Sequence, residues 1–112
     1  MELTLHPTPT ASIIHVNAPR IDAPNALQFK EDMRRLTSTG TGRFILDLQT
    51  VDFIDSSGLG SVVASMKQLK PGQTLELAAL QPIVEKVFKL TRMEAIFTIH
   101  DSADQACADG AA

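Results

Sequence analysis

Hydrophobic and polar residues follow two different periods along this 112-residue chain. Residues 2–6 and 11–16 show the two-residue alternation of half-buried strands, and the proline-containing turn between them predicts an N-terminal hairpin. Residues 44–48 are almost continuously apolar, which predicts a central strand covered on both faces. Residues 74–78 and 95–99 are predicted as two further strands.

Four helices are predicted from apolar residues spaced by three and four positions. The first covers residues 26–36, the second covers residues 59–69, and the third begins at Pro82, a residue favoured in a first helical turn. The fourth begins at Ser102, because residues 102–105 have the spacing of a capping box. The small residues from 106 to 112 are expected to fray.

The predicted order is therefore β-β-α-β-α-β-α-β-α. Strands that alternate with helices after a hairpin imply parallel crossover connections. We therefore predict an α/β fold with a single mixed sheet and with helices packed mainly on one face. The length is typical of one compact domain, and we expect a single domain over residues 1–112.

Composition and charge exclude several classes of function. The formal net charge is −3 and no basic run stands out, so direct binding to nucleic acid is not expected. The single cysteine, Cys107, cannot form an internal disulfide. No apolar run approaches the roughly 18 residues that a membrane-spanning helix needs. We therefore expect a cytoplasmic protein without membrane insertion.

The most informative segment is Asp55-Ser56-Ser57-Gly58-Leu59-Gly60, which joins a predicted strand to an amphipathic helix. Its simplest interpretation is a helix cap, since Asp and Ser oxygens accept the unpaired N–H groups of a first helical turn. Two glycines in a helix cost about 1–2 kcal/mol against alanine. They suggest either that another backbone approaches this turn or that the helix start is closely packed.

Catalytic motifs do not fit this segment. A nucleophile elbow needs a glycine two residues before its serine, but Ile54 and Asp55 occupy those positions for Ser56 and Ser57. A phosphate-binding loop needs a lysine directly after its last glycine, and none follows until Lys67. The three histidines lie far apart in sequence and no second cysteine is present, so we expect no catalytic base, metal site or enzymatic activity.

With this segment in place, the sequence resembles the STAS domain of anti-sigma-factor antagonists. The similarity rests on residues 44–48 and on residues 51–60, which include the hexad. Residues 20–23 match the loop before the family's first helix, and residues 75–77 and 82–88 match a later strand and helix. The similarity therefore spans nearly the whole chain.

The resemblance implies a partner switch controlled by phosphorylation. An unphosphorylated antagonist binds an anti-sigma factor that is also a serine kinase, and its target is released. The kinase then phosphorylates the first serine of the pair with its own bound ATP, and a serine phosphatase reverses the step. Carried over by position, the phosphorylated residue is Ser56. The residues that would bind the partner are Asp22, Asp55, Ser56, Ser57, Gly58, Leu59 and Gly60.

The family also implies that the chain itself carries no cofactor and is monomeric when free. Two departures from the family pattern bear on loop geometry and partner specificity. Ala18-Pro19-Arg20 stands where the family often has a glycine just before the acidic residue, and Arg92-Met93 replaces a frequent Gly-Leu. A different interpretation is a constitutive STAS subunit of a membrane transport assembly, such as a lipid ABC transporter, which would not need a phosphorylatable serine.

Overall fold

The computed structural model describes residues 2–39 and 42–109. It contains seven strands and four α-helices within those ranges. The strands are β1 (Leu3–Pro7), β2 (Ser12–Val16), β3 (Arg20–Ile21), β4 (Gly42–Asp47), β5 (Phe53–Ile54), β6 (Gln73–Ala78) and β7 (Ile99–His100). The helices are α1 (Ala26–Thr37), α2 (Ser56–Lys67), α3 (Pro82–Leu90) and α4 (Ala103–Asp109).

Five of the strands form one mixed sheet in the order β1-β2-β4-β6-β7. β1 and β2 pair antiparallel, which confirms the predicted hairpin, and the remaining neighbours pair parallel. β4 lies at the centre, where Ile45 and Leu46 are fully buried on opposite faces. This confirms the strand covered on both faces that its continuous apolar sequence predicted.

Three helices cover one face of this sheet, and the short α4 covers the other. Ile14, Leu46 and Leu77 belong to the main core, together with apolar side chains of α1, α2 and α3. On the opposite face, Ile45 belongs to a small cluster with Ala106 of α4. The predicted α/β fold with helices mainly on one face is thus confirmed.

An ionic network attaches α4 to the sheet. Arg43 on β4 contacts Glu76 on β6 through its Nε (2.7 Å) and Nη2 (2.8 Å), and Nη2 also donates to the carbonyl of Ala106 (2.8 Å). His100 Nε2 lies 2.7 Å from the same carboxylate. The expected fraying is wrong for Ala106, which is fully buried, while residues 110–112 lie outside the described residues.

β3 and β5 form a second, two-stranded parallel sheet that the sequence analysis did not predict. Arg20 pairs with Phe53, and Ile21 pairs with Ile54. Both isoleucines are buried in the main core. The family resemblance placed residues 20–23 in a loop, and a two-residue strand is too short to show a period in the sequence. This small sheet joins the segment before α1 to the segment before α2.

The last strand is also shorter than predicted and shifted towards the C-terminus. Residues 95–99 were the prediction, but β7 covers Ile99–His100 and a 3₁₀ turn covers Met93–Ala95. Arg92 begins this turn in the left-handed conformation (φ 60°). The turn allows Phe97 to pack edge-to-face on Phe88, with ring centroids 6.1 Å apart. Packing of an aromatic pair therefore determines the course of this segment.

Candidate functional site

Asp55 caps the start of α2 and so fixes the position of the two serines. Its backbone is extended, and its Oδ1 accepts a hydrogen bond from the N–H of Gly58 at 2.8 Å. Its carbonyl accepts the N–H of Leu59 at 2.8 Å. The cap predicted from the sequence is therefore confirmed, and Ser56 and Ser57 are the first two residues of the helix.

The second oxygen of the Asp55 carboxylate binds a different segment. Asp55 Oδ2 accepts a hydrogen bond from the backbone N–H of Ala23 at 3.0 Å. The N–H groups of Gly58 and then of Ala23 hold the pKa of the Asp55 carboxyl below its usual value. The carboxylate is therefore charged at neutral pH, and it joins the start of α2 to the loop that contains Asp22.

Asn25 shapes that loop through three hydrogen bonds. Its Oδ1 accepts from the N–H of Asp22 (2.8 Å), and its Nδ2 donates to the carbonyl of Arg20 (2.9 Å). Its backbone N–H donates to the carbonyl of Asp22 (3.0 Å). Asx side chains commonly close turns in this way. The Asp22 side chain is buried, and the loop reaches the start of α2 through the N–H of Ala23. A contact of Asp22 with a partner stays a prediction.

Arg20 is a neighbour of this site that the sequence analysis noted as a departure from the family pattern but did not include among the partner-binding residues. Its Nε lies 2.9 Å from Asp22 Oδ2, and its guanidinium lies over the ring of Phe53, 4.0 Å from the centroid. Side chains alternate along a strand, and Ile21 points into the core. The polar–apolar–polar alternation of Arg20-Ile21-Asp22 was the one signal in the sequence that Arg20 and Asp22 lie on the same side of the strand, opposite to Ile21.

The two serines lie on the surface beside a groove between α1 and α2. Ser56, Ser57 and Gly60 are exposed. Within residues 2–39 and 42–109, no hydrogen bond engages the hydroxyl of Ser56 or Ser57. The groove is lined by Ser57, Gly60, Ala64, Ala26, Leu27 and Lys30, among others. Leu27 is 68% exposed, which makes it an apolar side chain available to a partner.

Two residues of the hexad face the interior instead. Gly58 is buried, and a Cβ at this position would collide with the backbone carbonyl of Ile21. The close backbone approach predicted for the glycines is therefore made at Gly58 by the chain's own β3. Leu59 belongs to the main core. At Gly60, in contrast, a Cβ would meet no atom within 4 Å. A contact of Gly58 or Leu59 with a partner stays a prediction.

The three histidines, considered above as possible catalytic bases or metal ligands, lie on strands of the main sheet. His6, His15 and His100 lie on β1, β2 and β7, as predicted. His15 Nδ1 contacts Asp47, which is buried, at 2.9 Å. Among the described residues, no group of three His, Cys, Asp or Glu side chains could hold a metal ion, and no helix is long and apolar enough to cross a membrane.

The fold and this site define a known class of domain. A family model described as the STAS domain matches residues 2–106, and the chain belongs to the STAS-domain family. One relative is BtrV of Bordetella bronchiseptica, a candidate anti-sigma factor antagonist. It is 34% identical over 89 residues, which are 79% of this chain and 77% of that protein.

Solved structures share the same fold. An anti-sigma-factor antagonist STAS protein from Planctomyces limnophilus superposes with a TM-score of 0.88 and 16% identity, covering 98% of both chains. The Bacillus anti-sigma factor antagonist SpoIIAA, in its unphosphorylated form, has a TM-score of 0.71 and 22% identity over 94% of this chain and 92% of its own. A sulfate transporter family protein from Wolinella succinogenes has a TM-score of 0.76 and 20% identity over 92% and 86%. At these identities the similarity shows the fold alone.

Proposed function

We propose that the chain is an anti-sigma-factor antagonist whose binding to its partner is switched off by phosphorylation of Ser56. In the unphosphorylated state it binds an anti-sigma factor that is also a serine kinase, and the target of that kinase is released. The observation that carries this proposal is the exposed Ser56 hydroxyl at the start of α2, beside the Asp22 loop. The name of BtrV supports the class of partner.

The proposed partner surface combines the start of α2 with the groove beside it. Gly60 and Ser57 leave this part of α2 flat, so that another backbone can approach closely. Leu27 supplies an apolar contact, and Lys30 supplies a positive charge at the same groove. An interface of this kind combines an apolar anchor with polar groups at its rim.

Phosphorylation would change the charge of this surface without disturbing the fold. A phosphoryl group adds about −1.5 to −2 charges at pH 7. The macrodipole of α2 tolerates negative charge at its N-terminus. Asp55 already carries negative charge beside Ser56, so a partner packed against the phosphorylated residue would meet an anionic surface. Binding is then lost through electrostatics and desolvation rather than through refolding.

The remaining parts of the proposal concern what the chain does not do by itself. It has no catalytic activity of its own, and the ATP belongs to the kinase. A serine phosphatase restores the hydroxyl, and both partners meet the chain in the cytoplasm. The chain acts as a single domain over residues 1–112 and is a monomer when free.

Phosphorylation and binding can be tested together with candidate serine kinases from the same cell. The protein is incubated with ATP and each kinase, and intact mass and peptide mapping locate any added phosphate. We expect one phosphate on Ser56 and loss of co-elution with that kinase. Ser57→Ala should still be phosphorylated, whereas Ser56→Ala should bind permanently without modification.

A different result would favour the constitutive transport subunit. The proposed switch is wrong if no kinase modifies the protein and if the parent and Ser56→Ala co-purify equally well with a membrane transporter. The phosphorylation-mimicking Ser56→Asp should fold normally but bind the kinase weakly. A large fall in its melting temperature would instead indicate that Ser56 has a structural role.

A further inference from the structure

We propose that Arg20 binds the phosphate group on Ser56, and that it exchanges its ion pair with Asp22 for one with the phosphoserine. The inference rests on the proposed function, since it concerns the same phosphorylated serine. Arg20 lies in the segment that departs from the family pattern, and the proposal gives it a role in stabilising the phosphorylated state.

The guanidinium of Arg20 is held in place, but only part of its hydrogen-bonding capacity is engaged. Nε contacts Asp22 Oδ2 at 2.9 Å, and the ring of Phe53 supports the guanidinium from below. In the part of the chain that the structure describes, neither Nη atom donates to a protein acceptor. The side chain is 53% exposed. Four N–H groups of an oriented guanidinium therefore remain for another anion.

The register of the small sheet brings Arg20 to the phosphorylation site. Arg20 pairs with Phe53 across β3 and β5, and Ile21 pairs with Ile54. The next position along each strand holds Asp22 and Asp55, and Ser56 follows directly. After the larger effects of the Gly58 and Ala23 N–H groups, the charge of Arg20 also lowers the pKa of the Asp55 carboxyl. The register therefore places Arg20 where its guanidinium can turn towards a phosphate on the residue that follows Asp55.

Some of the N–H groups near Ser56 are already engaged. Asp55 already accepts the N–H of Gly58, and it accepts the N–H of Ala23 from the loop. A phosphate on Ser56 would also lie next to the negative charge of Asp55. A nearby cation is therefore needed to offset that repulsion, and Arg20 has unused donors on the same side of the small sheet.

The exchange would also change Asp22. A phosphate dianion carries more charge than a carboxylate and forms paired hydrogen bonds with arginine, so the guanidinium favours it over Asp22. Asn25 would continue to hold the backbone of Asp22. The Asp22 side chain, which is only 12% exposed, would then lose its counter-ion. One phosphorylation would thus alter the charge balance at both Ser56 and Asp22.

Other charged groups near Ser56 provide alternatives that the test must separate. Asp22, Asp52 and Asp55 are the acidic groups of the adjoining segments, and Lys30 is the cation of the α1–α2 groove. Lys30 lines the groove with Ser57, so it is the competing candidate for a phosphate contact. Arg34 lies about one turn beyond Lys30 along α1, where it pairs with Glu31, and offers a matched control.

The test uses protein that carries phosphoserine at position 56 through genetic code expansion, so that no kinase is required. The ³¹P chemical shift is followed as a function of pH in the parent protein and in Arg20→Gln, Lys30→Gln and Arg34→Gln. A neighbouring cation favours the dianion, so the titration midpoint of Arg20→Gln should lie about 0.5 pH unit above that of the parent. Arg34→Gln and Lys30→Gln should titrate like the parent.

Equal midpoints for the parent and Arg20→Gln would overturn the inference, as would a higher midpoint in Lys30→Gln alone. If Arg20→Gln does not fold, Arg20→Lys replaces it. This variant keeps the charge but cannot form two parallel hydrogen bonds with the phosphate. Its titration midpoint should lie between that of the parent and that of phosphoserine in an unfolded peptide. Failure of the proposed function gives a separate result, because the phosphoserine protein would then bind the kinase as well as the unmodified protein does.

Discussion

The carboxylate of Asp55 accepts the backbone N–H of Ala23 at 3.0 Å while it caps α2 through Gly58 at 2.8 Å. One side chain therefore joins the helix that presents Ser56 to the loop that presents Asp22. The two parts of the proposed partner surface are held together by this carboxylate. It thus has a structural role in addition to any contact with a partner.

Replacement of Asp55 should lower stability in a manner that depends on pH. Asp55→Ala loses both hydrogen bonds and should melt at a lower temperature, whereas Asp55→Asn keeps a capping oxygen and should lose less. Because the folded-state pKa of Asp55 is lowered, its stabilisation is present above the unfolded-state pKa and is lost as the pH falls through the folded-state pKa. Calorimetry between pH 7 and pH 3 measures this. Equal melting temperatures of Asp55→Ala and the parent at pH 7 would contradict it.

Gly58 and Gly60 should respond in opposite ways to the same substitution. Gly58→Ala places a Cβ against the carbonyl of Ile21, and we expect a loss of about 2 kcal/mol or more in the free energy of unfolding. Gly60→Ala meets no atom and should gain up to about 1 kcal/mol from helix propensity. Urea unfolding of the pair measures both effects. Equal destabilisation by the two substitutions would show that the contact with Ile21 does not limit this turn.

Leu27 should be a binding residue rather than a stabilising one. Its side chain is 68% exposed at the α1–α2 groove, and truncation of an apolar anchor typically weakens an interface by about 1–2 kcal/mol, roughly tenfold or more in affinity. Leu27→Ala should therefore weaken kinase binding without a change in melting temperature. Leu90→Ala on α3 is the control, since Leu90 is 74% exposed but lies outside the groove. A loss of affinity in Leu90→Ala alone would place the partner elsewhere.

The attachment of α4 to the sheet should depend on pH through the charge of Glu76. The hydrogen bond from Arg43, helped by the one with His100, lowers the pKa of the Glu76 carboxyl. Its contribution to stability is therefore present above the unfolded-state pKa and is lost as the pH falls through the folded-state pKa. Glu76→Gln should lower the free energy of unfolding at pH 7 by about 2 kcal/mol.

The loss in Glu76→Gln should shrink as the pH falls through the folded-state pKa of Glu76, because the parent carboxyl then becomes protonated as well. Hydrogen exchange should show faster opening of α4 in this variant, because the Arg43 guanidinium also holds the Ala106 carbonyl. Glu31→Gln is a matched control on the surface of α1. The same loss in both variants, or no loss in Glu76→Gln, would contradict a structural role for the network.

Most of the fold was predictable because its elements are long enough to show a period. The hairpin, the buried β4 and the helices α1 to α3 each repeat an apolar pattern over several residues. The cap at Asp55 and the start of α4 after Ser102 were also predictable, since a capping side chain acts on N–H groups two or three residues away. These features depend on neighbours in sequence, and the sequence alone determined them.

Tertiary structure alone decided the arrangement around the serines. β3 and β5 contain two residues each, so no periodicity marks them, and they pair only because Ile21 and Ile54 share the core. The contact of Gly58 with Ile21 and the position of Arg20 between Asp22 and Phe53 follow from that pairing. The contacts of Ile21 with Gly58 and of Arg20 with Phe53 join residues more than thirty positions apart in the chain, and local propensities carry no record of them.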